Sequence, residues 1–146
     1  MADIVSPETR SKMMKSIRSV SKLESLVSKE LWKQNIRFRK NSKKLFGKPD
    51  ISIKKYKIVI FIDSCFWHYC DLHGRYPKSN LEYWEKKITR NKLRDEKVTL
   101  YYSSNGWNIL RIWEHQLKDD FDQTLGQIYS FIEHCKYNVN NNISQR

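Results

Sequence analysis

The chain has 146 residues, 28 of them lysine or arginine and 16 aspartate or glutamate, for a formal net charge of +12. That length suits one domain around a single core, and 39% hydrophobic with 13% aromatic residues excludes a disordered basic tail. The longest apolar run, Ile58 to Ile62, covers five residues, whereas a membrane-crossing helix needs ~20.

The start, Met1 to Pro7, lacks the basic region and apolar stretch of an export signal. Three cysteines, an odd number, then point to a reducing compartment and to metal or packing roles. Charge is concentrated early: Thr9 to Lys48 holds 13 basic residues against Glu24 and Glu30, while the remainder is nearly neutral. A basic third on a neutral body suggests that a nucleic acid lies against it; a merely solvated basic surface is the alternative.

In chain order, Thr9 to Ser19 is polar and basic, with little to bury beyond Met13, Met14 and Ile17. A firmer helix is expected from Ser21 to Gln34, where Val20, Leu23, Val27 and Leu31 recur at helical spacing. Two strands follow, Asp50 to Ile53 and Lys57 to Asp63, joined by a polar connector and read as a hairpin. A loop rich in cysteine and histidine occupies Ser64 to Lys78. A long helix is expected to start near Ser79, with Glu82 completing a capping box, and to end before Asn105 and Gly106. Trp107 to Trp113 reads as a third strand. Phe121, Leu125, Ile128, Ile132 and Cys135 mark one stripe of a last helix. The expected fold is α/β, a mixed sheet flanked by helices. One domain is expected over residues 1–136, with a disordered asparagine-rich tail over 137–146.

Several residues could carry chemistry. A turn centred near Tyr56 and Lys57 places Asp50 opposite Asp63, and two opposed carboxylates need a cation between them. Magnesium suits such a pair; two polar strand ends are the other reading. Glu24 could add a third carboxylate, or could close a capping box begun by Ser21. Cys65, Cys70, His73 and His115 form a four-ligand set suited to structural zinc, with packed cysteines and turn histidines as the alternative. His68 lies five residues after Asp63 and is a candidate general base. Phe66, Trp67 and Trp84 could wedge between base pairs, and core packing competes for Trp84. Cys135 falls on the last helix's apolar stripe and is read as core.

Taken together, these residues resemble the very-short-patch repair (Vsr) endonucleases. The matching motifs are Thr9-Arg10-Ser11-Lys12, Gly47-Lys48-Pro49-Asp50, Val59-Ile60-Phe61 and Cys65-Phe66-Trp67-His68. They continue with Tyr83 to Ile88, then Asn91, Arg94 and Asp95, and finally Gly106-Trp107 through Trp113-Glu114. The resemblance runs from about Met1 to Cys135. It implies a restriction-endonuclease-like fold that nicks one DNA strand beside a thymine mispaired with guanine, the product of 5-methylcytosine deamination. It further implies magnesium on Asp50, Asp63 and the main chain of Ile62, with His68 as general base and Glu24 acting through metal-bound water. Structural zinc would sit on Cys65, Cys70, His73 and His115. DNA contacts would come from Met14, Ile17, Phe66, Trp67, Trp84, Lys87 and Asn91, with residues 1–20 as a DNA-binding arm.

The resemblance also implies a monomer in the bacterial cytoplasm, associated with the nucleoid. There it would work beside a cytosine-5 DNA methyltransferase and repair proteins. The chain departs from the family's pattern in places. The best-known member has histidine at the position of Asp63 and threonine at that of Ile62, and the zinc set mixes Cys and His differently. No lysine follows Asp63 as it would in most nucleases of this fold, a role His68 would take. A nicking or restriction-type nuclease indifferent to mismatches, or a silent DNA-binding module, would fit the same composition.

Overall fold

The structure, a computed structural model, describes residues 7–65 and 80–144. Its elements are α1 (Pro7–Lys33), β1 (Arg39–Lys40), β2 (Ile51–Ile53), β3 (Ile58–Asp63), α2 (Leu81–Ser104), β4 (Asn108–Trp113), α3 (Glu114–Asp119) and α4 (Phe121–Ser144). The sheet runs β1-β2-β3-β4, antiparallel in its first two pairings and parallel between β3 and β4. This is the expected mixed sheet flanked by helices.

Helix α1 is continuous where two segments were expected. Pro7 occupies its first position, where a missing N–H costs nothing, and no Gly or Pro interrupts the chain before Gly47. The expected capping box from Ser21 to Glu24 is therefore corrected: both residues lie inside the helix. Asparagine at 138 and 140–142 does not end α4 either, so the expected disordered tail is helical as far as Ser144. Helix α2 begins at Leu81 behind Asn80, whose backbone is left-handed and whose side chain caps nothing, while the expected start at Ser79 lies outside the described residues. Its end at Ser104 agrees with the Asn105-Gly106 signal.

The hairpin is present, but its register differs from expectation. Ile51 pairs with Ile60, Ser52 with Val59 and Ile53 with Ile58. The connector Lys54–Tyr56 winds into a 3-10 turn closed by left-handed Lys57. That centres the reversal earlier than Tyr56 and Lys57, so Asp50 falls level with Phe61, two residues short of Asp63.

Alternation along β3 divides the core. Ile58, Ile60 and Ile62 join Ile51 and Ile53 against Val27 and Leu31 of α1 and Leu125, Ile128 and Ile132 of α4. Val59 and Phe61 face the other way, onto Val98 and Tyr102 of α2. Helix α2 also clamps the segment leading to Asp50. The Tyr102 hydroxyl donates to the Phe46 carbonyl. At Gly47 (φ +76°) a Cβ would lie 2.8 Å from Val98 Cγ1, so backbone conformation and close approach both require glycine there.

Candidate active site

Asp50 enters β2 just after the clamped turn, half-buried. Its Oδ2 accepts a hydrogen bond from the Ile62 amide at 2.6 Å. An amide aimed at a carboxylate fixes its orientation, so Asp50 is held beside the main chain of Ile62, at the end of β3. The two groups expected to share a metal are thus brought together.

Asp63 is placed differently. Its side chain is buried, and both carboxylate oxygens accept from Arg111 Nη1, at 3.0 and 3.1 Å. Arg111 lies opposite Phe61 in the parallel register. Its guanidinium sits 4.5 Å from the Phe61 ring centroid, donates from Nε to Thr99 Oγ1 at 2.8 Å and from Nη2 to the Asp95 carbonyl at 3.2 Å. Arg111 therefore compensates the charge of Asp63 and ties β3 and β4 to α2. The face-to-face pair of Asp50 and Asp63 is corrected, because the observed register separates them and an arginine supplies the positive charge.

Glu24 lies on the α1 stripe that continues as Val27 and Leu31, and its Oε1 is buried without a hydrogen-bond partner among the described residues. A solvent-shielded carboxylate oxygen with no donor suits a cation or its bound water better than a helix cap. Asp50 and Glu24 are hard oxygen donors of the kind magnesium takes, and among the described residues no group of three His, Cys, Asp or Glu side chains is placed to hold a metal.

Cys65 follows β3 and His115 follows β4, and the parallel register brings their side chains together, with Cys65 Sγ 3.3 Å from His115 Nδ1. Two ligands of one tetrahedral zinc stand about 3.5 Å apart, given Zn–S near 2.3 Å and Zn–N near 2.0 Å; the pair sits close to that spacing, and among the described residues no third ligand joins it. The Cys65 amide donates to Glu114 Oε1 at 3.1 Å, and the Trp113 ring stacks on that of His115. Cys70 and His73 lie outside the described residues, as do Phe66, Trp67 and His68, and so does the side chain of Ile17.

Of the expected DNA-contacting residues, Met14 is exposed. Trp84 is fully buried, correcting the expectation of a surface ring there; the Lys87 ammonium lies 5.8 Å from its ring centroid. Asn91, two turns along α2, is half-buried. Cys135 is buried in the core, as expected, and burial raises its thiol pKa. Sequence reasoning missed Arg111, Thr99 and the role of Glu114. The only signal for Arg111 was a lone cation inside an apolar strand.

Comparison with known proteins shows the family. The family described as DNA mismatch endonuclease Vsr matches residues 2–73. The type II nicking enzyme V.HpaIIP of Haemophilus parainfluenzae is 49% identical over 115 residues, covering 76% of this chain and 82% of that protein. The type II nicking enzyme V.NmeDIP of Neisseria meningitidis serogroup C is 43% identical over 118 residues, covering 79% and 80%. The DNA mismatch endonuclease Vsr of Escherichia coli K12 is 35% identical over 121 residues, covering 81% and 77%. With so much of each chain aligned at such identity, this protein belongs to the Vsr endonuclease family.

Proposed function

We propose that this DNA endonuclease depends on magnesium and nicks one strand on the 5′ side of the thymine in a T:G mismatch left by deaminated 5-methylcytosine, starting short-patch repair. The observation that carries the reading is the Asp50 carboxylate pinned by the Ile62 amide at the end of β3. Asp50 and the Ile62 carbonyl would hold the ion, with Glu24 acting through bound water. Asp63, whose oxygens are taken up by Arg111, contributes by keeping that arginine in place. Bound there, magnesium would supply charge neutralisation at the scissile phosphate.

The chain's own groups do the rest. His68 takes the proton of the attacking water; the P–O3′ bond breaks and the 3′ oxygen takes a proton from solvent, leaving a 5′ phosphate and a 3′ hydroxyl. Phe66 and Trp67 enter the stack beside the mismatch while Met14 and Ile17 approach from the minor groove, and Lys87 and Asn91 read the mispair. Trp84, being buried, backs these contacts instead of making one. Structural zinc on Cys65, Cys70, His73 and His115 would hold the loop that carries Phe66, Trp67 and His68. In this reading the protein acts as a cytoplasmic monomer on nucleoid DNA, alongside a cytosine-5 DNA methyltransferase and repair proteins.

The test compares nicking rates on one duplex carrying T:G, T:A or C:G at the same place. A preference of at least ~100-fold for T:G is expected, since a mispaired base costs less to unstack. Equal rates would replace this reading with a nicking enzyme indifferent to mismatches. Asp50→Asn should lower nicking at least ~1,000-fold while duplex binding persists. Cys65→Ala should lose zinc by elemental analysis and melt at a lower temperature; full stability without zinc refutes the structural metal.

A further inference from the structure

Two concave surfaces meet at Phe38, just before β1. The larger, about 690 Å³, lies at the turn of the β2–β3 hairpin and is lined by Arg37, Arg39, Lys44, Lys54, Lys55 and Lys136, with no carboxylate among its lining residues. The smaller, about 440 Å³, runs along α1 between Trp32 and Phe38 and is flanked by Lys29, Lys33 and Lys40. Trp32 is 53% exposed, large for a tryptophan. The Arg37 guanidinium lies 3.7 Å from its ring centroid, and Phe38 meets the same ring edge-on at 6.2 Å. At the other end, the ammonium groups of Lys55 and Lys136 approach the Tyr56 ring at 5.4 and 5.6 Å.

We propose that this groove binds single-stranded DNA. Flexible cations match the phosphates, and the exposed Trp32 and Arg37 offer flat surfaces on which unpaired bases stack. A duplex keeps its base faces stacked inside and would leave those surfaces unused. An acidic peptide would use the lysines and ignore the rings. The groove opens at the turn end of the hairpin: β3 runs three residue steps from Ile58 beside the turn to Phe61, which is level with Asp50, about 10 Å at ~3.3 Å per residue. The inference stands whether or not nicking requires a mismatch.

The experiment uses the full chain carrying Asp50→Asn, so that nothing is cut. Its binding to fluorescein-labelled oligo-dT and to a short matched duplex is followed by anisotropy. Lys54→Glu with Lys55→Glu, and separately Trp32→Ala, should each weaken oligo-dT about ten-fold or more and leave the short duplex unaffected. Trp32→Phe should restore most of the Trp32→Ala loss, and unchanged melting curves verify folding. In the Asp50 parent, the groove variants should nick short duplexes at the parental rate. Equal losses on duplex and oligo-dT would overturn the proposal, making the groove part of the duplex path. So would oligo-dT binding that ignores both variants, or competition by poly-glutamate as strong as that by unlabelled oligo-dT.

Discussion

The face of the sheet bearing Ile51, Ile58, Ile60 and Ile62 is closed by α1 and α4 with hydrocarbon, whereas the face bearing Val59, Phe61 and Asp63 meets α2 through four buried core residues and an ion-paired arginine. The first arrangement is generic. Apolar burial there stabilises in proportion to area and tolerates changes that keep volume. The second is specific: Arg111 and Tyr102 each satisfy a particular polar atom, and both bear on the segments that carry Asp63 and Asp50. Stability is thus concentrated on one face, and orientation of the site on the other.

The largest effect should come from the hydrocarbon face. Ile60→Ala, at a fully buried position, should cost about 3–4 kcal/mol in urea unfolding, with nicking by the folded fraction unchanged. On the other face, Arg111→Met leaves Asp63 buried without its counter-charge and should cost about 2–3 kcal/mol. Here nicking should fall further than the loss of folded protein explains. A nicking rate that tracks folded fraction alone in Arg111→Met would erase the distinction between the faces.

The smallest effect, and the one with a pH signature, belongs to Tyr102. Tyr102→Phe should cost about 1 kcal/mol at neutral pH through loss of the bond to Phe46. Burial, reinforced by neighbouring Tyr101, pushes the Tyr102 hydroxyl from 10.0 up to about 12. Below pH 10 both folded and unfolded chains keep this proton. Between about pH 10 and 12 the unfolded chain loses it and the folded chain does not, so stability falls across that window. Tyr102→Phe should flatten that fall in unfolding curves taken from pH 9 to 11.5.

The two faces also differ in how legible they were. The hydrocarbon face follows from periodicity: the α4 stripe and the isoleucines of β3 were apparent because apolar side chains repeat with the element's own period. The other face depends on which strands meet. Arg111 opposes Phe61 only through the parallel β3–β4 register, which no local pattern encodes. The hairpin itself was legible, yet its register was not. Whether Lys54–Tyr56 would wind into a 3-10 turn depends on Lys57 adopting a left-handed backbone, an uncommon choice for lysine. The cap alternative for Glu24 arose because Ser21-Lys22-Leu23-Glu24 fits a motif that a longer helix overrides. The candidate site was legible in its residue types, Asp50 above all, while its wiring through Ile62 and Arg111 needed three dimensions.

The contact between Cys65 and His115, fifty positions apart, also bears on how the chain folds as it is made. Parallel strands cannot pair until their whole crossover has formed, so β3 must wait for α2 and β4 to leave the ribosome. During that interval Ile58 to Ile62 presents an unpaired, uncharged edge, the kind of segment that associates with its neighbours in a crowded cell. Faster synthesis should therefore lower the yield of soluble protein, and slower growth at reduced temperature should recover it.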